Sequence, residues 1–213
     1  MTHTDVTEAS VAQAEQSVVE QAQQAAAAHR VVDGVQVPAP GTYTLDPAHT
    51  RIGFVARHLM VTKVRGNFAD FDGSITIAED PKESTAEATM KAVSIETGAP
   101  DRDNHLRSGD FLEAEKYPEL TFRNARVTSQ KGATFTVLGD LTIKGVTKQV
   151  ELAVELDGVV TDPFGNEKLA VSASTEINRE DFGMTWNAAL ETGGVPVSQK
   201  VTIEIEAQAV RQA

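Results

Sequence analysis

The sequence contains no cysteine, which excludes disulfides, a cysteine nucleophile and any thiolate metal site. Aromatic residues are scarce, at 5% of the chain, so the few segments that hold them stand out. No apolar run approaches the roughly 18 residues of a membrane-spanning helix. Cations are outnumbered, with 19 Lys and Arg against 31 Asp and Glu and a formal net charge of -12. So acidic a surface repels phosphate backbones and disfavours attraction to an anionic membrane, which argues against nucleic-acid partners and a stable membrane anchor. Catalytic signatures are missing too: there is no Gly-x-Ser-x-Gly elbow, no His-Glu-x-x-His pair and no glycine loop to cradle a phosphate. Neither enzymatic activity nor a cofactor is expected. No Lys or Arg precedes Arg30 and no apolar segment follows the first residues. A secretory signal is therefore not expected, and the cytoplasm is the expected compartment.

What is present is a chain of 213 residues, 40% of them hydrophobic, enough for one sizeable globular domain. Residues 1–40 read differently from the rest. Ser10 to His29 is rich in Ala, Gln and Glu, with Val11, Val18 and Val19 as its large apolar residues. Such a composition favours a helix, and so thin an apolar stripe anchors it weakly. The segment is expected to be a partly helical tail, or a helix that lies across the domain or mediates self-association into a homodimer. Val31 to Pro40, with two prolines and a glycine, is a linker or the lead-in to an edge strand.

From Gly41 to the C-terminus the pattern is that of strands. Thr42 to Leu45 is short and stopped by Asp46-Pro47. Thr50 to His58 alternates, with Ile52, Phe54, Ala56 and His58 on one face and Arg51, Gly53, Val55 and Arg57 on the other. The first face is apolar and ends in a histidine, as expected of a strand lining a closed interior with a polar group near one end. Lys63 to Phe71, Ser74 to Ala78 and Thr85 to Ile95 continue the alternation, with Gly66 and Gly73 as expected bulge or bend sites. Leu120 to Val127, Ala133 to Ile143, Lys148 to Val160, Lys168 to Ile177 and Val197 to Val210 follow. Turn signals at Lys144-Gly145 and Asp162-Pro-Phe-Gly-Asn166 separate some of them. About eight strands at this spacing predict a sandwich or a barrel, and an eight-stranded barrel can hold one small ligand.

The stretch from Pro100 to Pro118 is not strand-like. Asp101 or Asp103 is placed to cap a short helix ended by Gly109. Phe111, Leu112 and Tyr117 would pack this insert onto the sheet. Asp101, Asp103 and His105 fall at i, i+2 and i+4, which does not converge on one helix face, so no metal site is expected. His49 is placed to brace the start of its strand, and Arg179 and Asp181 to pair with each other or to close the mouth of a barrel.

Five stretches, in order, give the chain a family resemblance. They are Asp46…His49-Thr-Arg-Ile52…Phe54…His58 and Val64-Arg-Gly66…Phe68…Phe71…Gly73. Then come Asp103-Asn-His-Leu…Ser108-Gly-Asp-Phe111…Lys116-Tyr-Pro118…Phe122 and Gly139-Asp-Leu-Thr-Ile-Lys-Gly-Val-Thr-Lys148. The last is Ile177-Asn-Arg-Glu-Asp-Phe-Gly-Met184. Over residues 42–210 the chain resembles the YceI-like, or polyisoprenoid-binding, proteins. The resemblance implies a mainly β fold, an extended antiparallel eight-stranded lipocalin-like β-barrel with a short helical insert. It also implies a channel holding the tail of a polyisoprenoid or another long-chain lipid, such as a prenyl quinone or prenyl phosphate. On that basis the expected lining is Ile52, Phe54, Phe68, Phe71, Ile75, Phe111, Phe122, Phe135, Leu141, Ile143, Phe182, Met184 and Trp186, with His58 bonded to a head group. From pattern alone the same side chains would fill a packed core, and His58 would be structural. The resemblance implies a carrier or reservoir; a mobile element must open such a channel, and Pro100 to Tyr117 is the expected lid. Two alternatives stand beside it: an enzyme that uses His58 and a carboxylate on a bound isoprenoid, and an oligomerising interaction module built on the N-terminal helix.

Overall fold

A computed structural model describes residues 29–32, 34–59, 61–187 and 197–212. The expected helical tail lies outside the described residues except for His29, which opens a strand. Val31 to Pro40 forms neither a linker nor a lead-in but most of a hairpin. Its strands β1 (His29–Val32) and β2 (Val35–Pro38) pair only with each other. Gly34, at φ 79, makes the turn, a conformation that glycine adopts without strain.

The remaining strands are β3 (Gly41–Leu45), β4 (Arg51–His58), β5 (Thr62–Phe68), β6 (Phe71–Ile77), β7 (Thr85–Lys91), β8 (Ile95–Glu96), β9 (Glu119–Lys131), β10 (Thr134–Ile143), β11 (Val146–Thr161), β12 (Glu167–Asn178) and β13 (Val197–Arg211). All pairings are antiparallel. The ring β12-β11-β10-β9-β7-β6-β3-β13 closes on itself through β12–β13, giving the eight-stranded barrel. A three-stranded flap, β4-β5-β8, branches from the N-terminal part of β13. The expected long strand from Thr85 to Ile95 is two strands, because a 3₁₀ turn at Ala92–Ser94 carries the chain from the ring to the flap. Among the described residues, one α-helix, α1 (Pro100–Arg107), occupies the insert.

The branch point explains the Asp46-to-Thr50 motif. β13 pairs with β4 up to Glu206 and with β3 from Ala209. The backbone of Gln208 falls between these partners. Its carbonyl accepts from the Asp46 amide (2.8 Å) and the Thr50 hydroxyl (3.1 Å), and its amide donates to Thr50 Oγ1 (3.1 Å). Asp46 shapes the step: Oδ1 accepts from the Ala48 amide at 3.0 Å and Oδ2 lies 2.8 Å from His49 Nδ1. The His49 bond is the main cause holding the Asp46 carboxyl below its usual pKa. His49 thus braces the turn before the strand.

Gly66 and Gly73 are not bulges, since the ladder runs without a register shift through both. They are places of close approach. A Cβ on Gly66 would collide with the Phe54 ring and one on Gly73 with the Glu87 carbonyl and Leu45. The bulges lie elsewhere, in β9–β10, β11–β12 and β13–β4. One of the two β9–β10 bulges holds Asn124 at φ 54, and the added residue lets both Phe122 and Val127 face inward.

At the end of the barrel where β3 begins, Tyr43 is fully buried. Its hydroxyl lies 2.6 Å from Glu167 Oε1 and 2.8 Å from the Ala39 carbonyl oxygen, and its single proton serves these two acceptors. Glu167 Oε1 also accepts from the Ala39 amide at 3.1 Å, and Arg211 Nη1 stands 3.5 Å from Glu167 Oε2. Burial, reinforced by Glu167, pushes the Tyr43 phenol well above its usual pKa.

Two outcomes check this architecture. Thr50→Val leaves the Gln208 backbone short of two partners and should cost about 1–3 kcal/mol in urea denaturation, whereas Thr50→Ser should sit close to the wild type. A raised phenol pKa means that the contribution of Tyr43 is complete below about pH 10 and is lost as pH rises further. The denaturation midpoint should therefore fall more steeply above pH 10 in the wild type than in Tyr43→Phe. Equal slopes would contradict the burial of the phenol.

Candidate ligand-binding channel

The inward face of each strand is set by period-two alternation. On β11, Val150, Leu152, Val154 and Leu156 turn in while Glu151 and Glu155 are exposed; on β13, Val201, Ile203, Ile205 and Ala207 turn in. These faces do not meet in a filled centre. They enclose two adjoining chambers, each of about 180 Å³. Ile52, Ala88, Phe122, Leu152 and Ile205 line both and form the waist between them. The Phe122 ring lies where a Cβ on Gly139 would stand, so the absence of a side chain at 139 gives the waist its shape. From Leu169 to Ile177 the lining on β12 spans eight residue steps, roughly 26 Å of strand and roughly 20 Å along the axis of a tilted barrel.

The first chamber lies within the eight-stranded ring. Ile75, Phe135, Val137, Val154, Leu156 and Val171 belong to its apolar wall, with Ser74, Ser84, Thr85 and Glu87 as polar members on the β6–β7 side. Val37 and Pro38 of the hairpin also line it, both of them buried. The hairpin reaches across this end of the barrel. At one side Arg30 Nη1 pairs with Glu79 at 3.1 Å and Arg30 Nη2 donates to the Ala78 carbonyl at 2.5 Å, just beyond β6. At the other, β2 packs on β11 and the following Ala39 is bonded to Glu167 of β12. β6 and β11 stand four places apart in the ring of eight, so the hairpin bridges opposite walls.

The second chamber lies between the flap and β9 to β13. Phe54, Phe68, Leu141, Ile143 and Met184 line it, as do Leu106, Phe111 and Leu112 of the insert. The insert is a wall tied to the strands beside it. Arg107 donates to the Val93 and Ile95 carbonyls, each at 2.7 Å, and Lys144 to the Gly109 carbonyl at 2.8 Å. Asp103 does not cap the helix, whose N-cap Ala99 has no side-chain bond. Asp103 is buried and accepts from the Thr97 amide at 2.9 Å. His105 turns to Asp110 (2.8 Å). The three residues Asp101, Asp103 and His105 therefore do not meet.

Arg179 also lines the second chamber, 2% exposed. Nε donates to the Ser198 carbonyl at 3.0 Å, Nη1 to the Met184 carbonyl and Nη2 to the Val197 carbonyl at 3.5 Å. Burial lowers its pKa, and Glu180, 3.9 Å away, opposes the shift. The expected pairing with Asp181 is absent: Asp181 is exposed, and the guanidinium pins the backbone between β12 and β13 instead.

Of the expected lining, Ile52, Phe54, Phe68, Ile75, Phe111, Phe122, Phe135, Leu141, Ile143 and Met184 border a chamber. Four expected residues do not. Phe71 and Phe182 belong to the packed core around the chambers. Trp186 packs edge-on against His105 and tilted against Phe111, with ring centroids 4.6 and 5.4 Å away, and is not among the lining residues. His58 keeps the inward parity, but β4 carries it past the chamber, where it is exposed. The expectation weighted the aromatics and so missed the aliphatic walls of β11, β12 and β13. Their signal is in the sequence, in Val150-Glu-Leu-Ala-Val-Glu-Leu156 and Val201-Thr-Ile-Glu-Ile-Glu-Ala207, as strict alternation.

Comparison with known proteins places this architecture. The family model of the YceI-like domain matches residues 43–209. A UPF0312 protein of Staphylococcus aureus is 40% identical over 168 residues, covering 78% of this chain and 95% of that protein. The crystal structure of a Campylobacter jejuni YCEI protein superposes with a TM-score of 0.64 at 31% identity, covering 74% of this chain and 90% of that one. A polyisoprenoid binding domain from Saccharophagus degradans shares the fold, with a TM-score of 0.55 at 19% identity over 80% of this chain and 98% of its own. With its strand ring, its flap and the five sequence stretches all inside the matched span or at its borders, the chain belongs to the YceI-like domain family.

Proposed function

We propose that this protein binds a polyisoprenoid or a similar long-chain lipid in its channel and acts as a carrier or reservoir. One observation carries the reading: two apolar chambers adjoin end to end and share a five-residue waist. Water needs two to four polar partners to occupy a cavity, and these walls offer few. An empty apolar space also forfeits the dispersion contacts its lining would make. A narrow, elongated apolar occupant supplies both, at about 0.8 kcal/mol for each buried CH₂. Affinity then grows with chain length, as suits a prenyl quinone or prenyl phosphate. The S. degradans domain, which shares the fold, is described as polyisoprenoid binding, in keeping with this reading. The mechanism is binding and release without a covalent step.

Phe54→Asp and Phe122→Asp place a charge in the second chamber and at the waist. Each should abolish co-purification of a prenyl lipid, measured by native mass spectrometry and solvent extraction, while circular dichroism still reports a β-barrel. Undiminished lipid in both folded variants would overturn the assignment of the lining. Wild-type protein that takes up no added prenyl quinone would overturn the function.

A further inference from the structure

We propose that the β4–β5 hairpin is a membrane-docking tip that sets the channel against an anionic lipid surface. The proposal deepens the carrier reading and rests on it for what is carried. The chain as a whole is acidic, but its charge is not spread evenly. From residue 47 to residue 69 the sequence holds Arg51, Arg57, Lys63 and Arg65, and no Asp or Glu. β4 and β5 fold this stretch back on itself, so Arg57 stands opposite Lys63 in register. Like charges directly opposite each other destabilise a strand pair. Here they are retained: Arg57, Lys63 and Arg65 are all exposed. Among the described residues no carboxylate lies within ion-pair distance of any of the three. A surface of anionic head groups would relieve this repulsion.

The turn between the strands is apolar. Leu59 is 45% exposed and Val61 78% exposed, and Leu59 is held at φ 52. The left-handed region is costly for such a side chain, yet Leu59 and Val61 both stay exposed there. An apolar point ringed by cations matches the boundary between lipid head groups and acyl chains.

Position in the fold connects the tip to the channel. Phe54 and Ala56 line the second chamber, and the tip begins three residues after Ala56. The first chamber's far end is bridged by the N-terminal hairpin. Exposed carboxylates stand near both ends, at Glu79, Asp80 and Glu83 after β6 and at Asp101, Asp110 and Asp181 near the second chamber, so the orienting feature is the tip itself. Its unpaired cations and apolar turn would set the second chamber, which β4 lines, toward an anionic surface. Among the described residues Phe164, 89% exposed on the β11–β12 turn, is the most exposed large apolar side chain. It stands beside the Asp162 carboxylate, which the nearby Lys168 already pairs at 3.8 Å, so it fits such a surface poorly.

The test is co-sedimentation of the full chain with vesicles free of prenyl lipid. One set is phosphatidylglycerol mixed with phosphatidylcholine, the other phosphatidylcholine alone. Wild type should bind the anionic vesicles at low salt, release them in about 0.5 M salt, and ignore the neutral ones. Each cation near an anionic surface strengthens binding roughly fivefold, so the double variant Arg57→Glu/Lys63→Glu should bind at least tenfold more weakly. Leu59→Ser/Val61→Ser should lose about threefold or more and keep the salt dependence. Phe164→Ser should match the wild type. All of these sites are exposed, and an unchanged denaturation curve confirms folding. Wild type left unbound by anionic vesicles, full binding by both tip variants, or loss of binding in Phe164→Ser alone would overturn the proposal. Prenyl quinone uptake from solution, scored separately, reports on the carrier reading. Uptake without docking sinks the tip alone, and docking without uptake sinks the carrier.

Discussion

A strand has two edges, and each unpaired amide or carbonyl on a buried edge costs free energy. Strand β13 meets this constraint with three partners. One edge runs along β12 from Lys200 to Val210. The other is divided, with β4 on its first part and β3 on its last. Everything distinctive about the fold follows from that division. The ring of eight closes through β3 and the flap grows from β4. The residues from Asp46 to Thr50 exist as a turn because the chain must step from one partner to the other while the Gln208 backbone stays satisfied.

The interior obeys a second constraint. Barrel walls built from alternating strands present one side chain in two to the centre, and in this chain most of those are aliphatic and only a few aromatic. The larger buried cluster lies where the flap, the insert and the ring converge and includes Phe71 and Phe182, while the smaller has Tyr43, Leu169 and Ala209 at its centre. The polar groups that do lie inside are spent on structure. Arg179 is tied to backbone carbonyls and Glu167 to Tyr43 and Ala39. The protein itself holds these two groups in place, and the chamber walls that remain are almost wholly apolar.

Much of this was legible in the sequence, for a physical reason. Alternation reports directly on which side chains face inward, so the strands from β9 to β13 are readable to within a few residues. The features that alternation cannot express were misread. The break at Ala92 is a change of partner, which depends on where β5 lies. Gly66 and Gly73 look like bulges because a glycine in a strand has two uses, and only the neighbouring Phe54, Leu45 and Glu87 tell them apart. His58 has the parity of a lining residue, but parity says nothing about how far the cavity extends along the strand. The N-terminal hairpin was hidden by Pro38 and Pro40, which suggest a linker until its partner strand is seen. Net charge is silent in the same way, because a sum over the chain does not show the stretch from residue 47 to residue 69 that carries cations alone.

The two ends of the channel differ in mechanical kind. Around the first chamber, backbone ladders run the whole way round, and the girth of a hydrogen-bonded ring changes only if a ladder breaks. Around the second, the flap ends at β8, which pairs with β5 over two residues. Beyond it the circuit is completed by the insert, through Phe111 and Leu112 and a few side-chain bonds from Arg107 and Lys144. A seam made of side chains yields before one made of backbone does. The molecule is in effect a stiff sleeve joined to a compliant one, with the compliance on the side of the β4–β5 tip. Occupants of different girth would be accommodated there, while the sleeve within the ring keeps a fixed bore.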